Sequence, residues 1–116
     1  MALSSVHNSI LVESCEDYVG LWSVVWHFHK LLKQHDSTKI RYQTLQIIEE
    51  LLREGLIQAG SFSSDGSFVV WEIQPIEVIK RIENEWDALG RDPNLGEIAW
   101  FEATEKGALE ASRIKN

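Results

Sequence analysis

The stretch between Gly55 and Pro75 decides what this chain can fold into. Residues 56–62 and 68–73 are two strand-like runs on either side of Asp65-Gly66. Asp-Gly is the dipeptide that best tolerates the positive φ of a tight hairpin turn, and Phe68, Val69, Val70 and Trp71 favour a strand. A β-hairpin in the middle of the chain excludes an all-α bundle. The helical periodicities before and after it exclude an all-β sandwich, so the class is α+β.

Two long helices precede the hairpin. Asp17 is placed to cap a helix over residues 18–34, with Tyr18, Leu21, Trp22, Val25, Phe28 and His29 on one face together with Leu32. Val19, Val24, Trp26 and Leu31 widen that face to an arc of about 240°, against the stripe of little more than about 100° that a surface helix needs. The second helix opens after Ser37 and stops at Gly55, with Ile40, Leu45, Ile48, Leu51 and Leu52 inward. Pro75 then starts an inserted helix carrying Ile76, Ile79, Ile82, Trp86 and Leu89 until Gly90. Residues 91–96 read as loop and residues 98–101 as a short third strand. Thr104 caps a C-terminal helix that frays near Lys115, and residues 1–16 form an N-terminal extension of a single domain spanning 1–116.

At 116 residues, 44% hydrophobic and 25% charged, the chain has the composition of one globular domain able to bury its own core. Cys15 stands alone, so no intrachain bridge and no Cys-pair zinc site are available, and a reducing compartment is expected. No run approaches 18 apolar residues, and the N-terminus lacks a basic region before an apolar stretch. Both point to a cytoplasmic protein with no membrane partner. The net charge is −7 but unevenly spread. Residues 30–41 carry Lys30, Lys33, Lys39 and Arg41 against Asp36, whereas residues 72–105 carry nine acids against three bases. An acidic body repels a phosphate backbone, which disfavours nucleic acid as partner.

Ser37 opening an amphipathic helix, followed by Glu54-Gly55-Leu56-Ile57 and a hairpin, resembles the recognition helix and wing of winged-helix (winged helix-turn-helix) domains. Thr104-Glu105-Lys106-Gly107 after an apolar strand is similar to the end of the wing in that superfamily. The resemblance implies an α+β winged-helix-like fold over residues 18 to 107, with the 75–90 helix inserted. It departs in two places. Residues 17–55 hold two helices where the superfamily places three, and residues 61–67 carry no positive charge where DNA-binding wings carry Arg or Lys.

The chemistry-bearing residues form no catalytic or metal-ligating set. His27, His29 and His35 cluster in sequence, but His27 and His29 stand about 200° apart around a helix, whereas zinc pairs sit at i, i+4. By this phase His29 belongs to the core and His27 to solvent. Glu16 and Asp17 beside Cys15 oppose thiolate formation, so that thiol is read as inert. Glu49-Glu50 and the acids at 83, 85 and 87 fall on solvated helix faces. No nucleophile elbow, phosphate loop or dinucleotide fingerprint occurs, so neither enzyme activity, cofactor nor metal is expected.

Among five tryptophans, Trp22, Trp86 and Trp100 fall on inward faces, leaving Trp26 and Trp71. With Val19 on the flank of the overwide helix, Val19, Trp26 and Trp71 mark a partner interface, most simply a homodimer about a two-fold axis. The expected function is a non-enzymatic regulatory or binding module acting through protein contacts. The alternative is a DNA-binding transcriptional regulator that inserts Lys39, Arg41, Tyr42, Gln43 and Gln46 into the major groove while Lys30 and Lys33 touch phosphates.

Overall fold

The computed structural model describes residues 5–31, 33 and 36–115. Among the described residues, five α-helices pack with a four-stranded antiparallel sheet in an α+β domain. In chain order they are α1 (Ser5–Glu16), β1 (Val19–Gly20), α2 (Leu21–Trp26) running into a π-helix (His27–Leu31), α3 (Ser37–Arg53), β2 (Ile57–Phe62), β3 (Phe68–Val70), α4 (Pro75–Leu89), β4 (Trp100–Ala103) and α5 (Glu105–Lys115). Leu32, Gln34 and His35 lie outside the described residues.

Residues 5–16, expected as an extension, are helix α1 and part of the core. Ile10 and Leu11 are completely buried. The buried stripe is His7, Ile10, Leu11 and Ser14, at helical spacing, but both ends are polar and so hide the periodicity. Each polar end is satisfied: His7 Nε2 meets Glu50 Oε1 of α3 at 3.0 Å, and Ser14 Oγ donates to the Leu11 carbonyl at 2.7 Å.

The predicted helix over 18–34 is also corrected. Tyr18 to Gly20 is extended, Val19 pairs with Phe101 and Gly20 with Trp100, and the helix begins only at Leu21 with Gly20 as its N-cap. Asp17 instead accepts the Tyr18 N–H at 2.8 Å. From His27 the bonding widens to i→i+5, which adds a residue to the turn and rotates the buried face toward His27 and Phe28.

The remaining helix ends follow their local chemistry. Asp36, one residue before the expected cap, accepts from Thr38 N at 3.0 Å and Lys39 N at 3.1 Å. Gly55, at φ 73°, closes α3 with Gly55 N donating to the Leu52 carbonyl and Leu56 N to the Leu51 carbonyl, both at 3.0 Å. Pro75 opens α4 within a Gln74/Glu77 capping box, and Gly90 ends it at φ 68°. Ile76 is exposed rather than inward, and Ile79, Ile82 and Trp86 carry the packing with Val78.

The strand order is β1-β4-β2-β3. The hairpin turns at Asp65-Gly66, whose carboxylate accepts from Ser67 N at 3.0 Å and from the Ser63 hydroxyl. Those hydrogen bonds hold the Asp65 carboxyl at about 2. The third predicted strand starts two residues late because Ile98 sits at φ 72°. Ala99 N donates to the Glu97 carbonyl at 2.9 Å across it, a γ-turn of the rare positive-φ hand. Thr104 then joins α5 to the end of α3, its hydroxyl donating to the Gly55 carbonyl at 2.6 Å and accepting from Gly107 N at 3.0 Å.

Candidate protein-contact surface

One face of the sheet carries aromatic rings instead of helices. Strand alternation turns Phe62, Phe68 and Trp100 to the same side, since Phe62 faces Phe68 and Gly60 faces Trp100 across the ladders. Tyr18, in the extended segment before β1, completes the layer. Its ring centroid lies 4.9 Å from Phe62 and 4.8 Å from Phe68, and Phe62 stands 5.4 Å from Trp100. Glycine makes the layer close-fitting at two positions. A Cβ on Gly60 would fall 2.8 Å from Phe68 Cζ and 2.3 Å from the Val69 carbonyl oxygen, and one on Gly20 would touch the Trp100 ring at 3.4 Å.

Two adjoining clefts continue this layer around the molecule. The first, about 290 Å³, lies between the end of α1, β1 and the loop before β4, and its walls include Tyr18, Trp22, Leu95 and Trp100. The second, about 310 Å³, shares Trp22 and Leu95 and adds Trp26 and Pro93. Leu95 is 70% exposed and Trp26 44% exposed. The result is one band of partly exposed apolar side chains from Phe62 to Trp26.

Leu95 is displayed by a braced loop. Arg91 grips Glu97 through both carboxylate oxygens at 2.7 and 2.9 Å, and Glu97 also accepts from Asn94 N at 2.6 Å. The Arg91 hydrogen bonds come first among the causes that hold the Glu97 carboxyl at about 2, and the Arg91 guanidinium is raised in turn. The γ-turn at Ile98 then redirects the chain so that the Ala99 carbonyl accepts from Leu21 N at 3.0 Å, which fixes the loop to the start of α2.

Of the expected interface residues, only Trp26 is exposed. Val19 is buried because it belongs to a strand opposite Phe101 rather than to a helix flank. Trp71 is buried under the Arg81 guanidinium, 3.8 Å from its ring, with its indole N–H donating to Ser61 Oγ at 3.3 Å. The histidines exchange places relative to the expectation. His27 is buried with Nε2 3.1 Å from Glu13 Oε2, while His29 is part-exposed with Nε2 3.8 Å from Asp92. Among the described residues no group of three or more His, Cys, Asp or Glu is arranged to hold a metal ion.

The expected nucleic-acid contacts are dispersed. Lys30, Lys33, Lys39, Tyr42 and Gln46 are exposed. Arg41 is drawn to α4, bonded to Asp87 at 2.7 Å and to the Glu83 carbonyl at 3.2 Å, with Trp86 under its guanidinium. Gln43 is half-buried beside α1, and Tyr42 and Gln46 overlook a cleft that also presents Glu49, Glu50 and Glu83 against one base, Arg53. No helix among the described residues is long and apolar enough to cross a membrane.

The band was missed in sequence because Tyr18 was phased as helix and Phe62 and Phe68 were counted only as strand formers. Their positions just outside the turn, two residues of equal hand on neighbouring strands, were the available signal. Comparison with protein-family models, with curated proteins and with solved structures finds no match to this chain.

Proposed function

We propose that this chain is a non-enzymatic protein-contact module, built on a scaffold of winged-helix type, that works through the aromatic band from Phe62 to Trp26. The scaffold reading is supported by element order. Helix α1 supplies the helix that residues 17–55 lacked, so three helices and an intervening β1 precede the hairpin, and Thr104 starts a helix after β4. The insertion of α4 between hairpin and β4 departs from that pattern.

One observation carries the functional reading: large apolar side chains are displayed contiguously, and a braced loop holds Leu95 outward among them. Monomers rarely expose such patches without a use, and aromatic residues concentrate at the centres of interfaces. Each cleft is at or below the lower end of the roughly 300–1,000 Å³ that small-molecule pockets occupy. Such clefts suit single side chains of a partner better than a whole ligand.

DNA binding has less support. Arg41 is engaged by α4, the hairpin turn brings Asp65 without a base, and the acids around Tyr42 and Gln46 repel phosphate.

Site-specific photo-cross-linking in the source cell tests the reading. A photoreactive residue at Trp26 or Leu95 is expected to yield a discrete protein adduct, and one at Asn84, on the outer side of α4, none. Adducts from position 84 alone would overturn it.

A further inference from the structure

The band is flanked by charge of one sign. Glu13, Glu16 and Asp17 line the first cleft beside Tyr18, Trp22 and Trp100, and Asp92 lines the second, with His29 Nε2 3.8 Å from it. Neither lining contains Lys or Arg among the described residues. Glu13 Oε2 lies 3.1 Å from His27 Nε2, and Asp17 Oδ1 accepts the Tyr18 N–H. A second copy docking about a two-fold axis would bring together two patches that each carry these carboxylates and no Lys or Arg, on a chain of net charge −7. The simple homodimer expected from sequence is therefore opposed by the same residues that surround the apolar surface.

Resting on the protein-contact reading above, we propose that the occupant of the band is a cationic linear segment of another protein. A Lys or Arg side chain enters the first cleft, and an apolar side chain two residues away, on the same face of the extended segment, enters the second. The first cleft offers what such a cation needs: aromatic faces for cation–π contact and carboxylates for charge-assisted hydrogen bonds. The second offers Trp22, Trp26, Pro93 and Leu95 to an aliphatic or aromatic anchor. The wall shared by the two clefts, Trp22 and Leu95, places the two subsites side by side, as side chains i and i+2 on one face of an extended segment require.

The test is a titration of the full chain, followed by the indole N–H signals of Trp22, Trp26 and Trp100 in ¹⁵N NMR spectra. The probes are capped pentapeptides that place one Arg or Lys two residues from a Leu or Phe in either order, and the same peptides with Glu in place of the cation. The cationic peptides are expected to shift these three signals, with affinity falling about fivefold between 50 and 300 mM salt. The Glu peptides are expected to leave them unmoved. Combining Glu16→Gln with Asp17→Asn should weaken the cationic peptides about tenfold. Should that variant lose its amide dispersion, the salt response of the unaltered protein remains the criterion.

Equal shifts by the Glu peptides would overturn the cationic partner while leaving the contact surface standing. Shifts of the same indoles with protein concentration alone would identify a second copy as the occupant and overturn it also. No response to any peptide of the set at millimolar concentration, without self-association, would overturn it too. The cross-linking result then decides the underlying reading separately.

Discussion

Glu97 holds Arg91 with both of its carboxylate oxygens, at 2.7 and 2.9 Å, and this pair closes the loop from which Leu95 projects. Its carboxyl lies at about 2, against an ordinary value of 4.5. A depressed carboxyl contributes stability that is fully present above its unfolded value and is lost as pH falls through its folded value. Loop order should therefore persist down to about pH 4 and disappear toward pH 2. The Asn94 amide signal reports this directly. Glu97→Gln should give the acid-state amide shift already at neutral pH, and a wild-type midpoint near 4.5 would contradict the pairing.

Gly107 lies in α5 against the joint between α3 and β2. A Cβ there would stand 1.9 Å from the Leu56 carbonyl oxygen, and that atom is backbone and cannot swing aside. Gly→Ala inside a helix ordinarily stabilises by roughly 0.5–1 kcal/mol. Here Gly107→Ala should destabilise by about 2 kcal/mol, the scale of an overpacked core, read from urea unfolding.

Ile98 is β-branched and sits at φ 72°, a conformation that costs such a residue about 1–3 kcal/mol. Ile98→Gly removes both the strain and a partly buried side chain. The two effects oppose, and the expected net change in unfolding free energy is within about 1 kcal/mol of zero. A loss above about 3 kcal/mol would show that the packing of Ile98 dominates.

Val19 and Trp26 entered as members of one interface, and the fold separates them. Val19→Glu places a charge between β1 and the core and should cost about 3 kcal/mol or more, whereas Trp26→Glu should cost less than about 1 kcal/mol. Thermal unfolding of the two variants checks the order. A Trp26→Glu protein that unfolds like Val19→Glu would place Trp26 in the core.

The hairpin, α3 and α4 were readable because their signals are local. Gly55 and Gly90 adopt the positive φ that their positions after apolar periodicities call for, and Asp65-Gly66 turns where the strand runs break. Helix α1 was not readable, since its buried stripe ends in two polar residues: His7 is satisfied by Glu50, 43 residues away, and Ser14 by the Leu11 carbonyl of its own helix. Segment 18–20 was misread because a two-residue strand has no periodicity of its own. It exists through Phe101 and Trp100, some eighty residues on. Reading it as helix put Val19 on an exposed flank and Tyr18 among core residues, while the π-helix from His27 exchanged the places of His27 and His29. The site was less legible than the fold because it joins side chains from the segment before β1, from β2, β3, β4 and α2, and from a loop.

Strand β4 lies between β1 and β2 and is bonded to both, yet it follows them in the chain by way of α4. During synthesis β1, α3 and the hairpin all emerge before β4, and β1 has no strand neighbour until residues 100–103 leave the ribosome. The sheet therefore closes in one late, non-local step, which is slow by the logic of loop closure and exposes unpaired edges meanwhile. For that interval the nascent chain displays Tyr18, Phe62 and Phe68 without Trp100 beside them. A protein whose mature surface is an aromatic band thus passes through a stage in which that band is incomplete and adhesive, and a chaperone acting before residue 103 appears would meet it there.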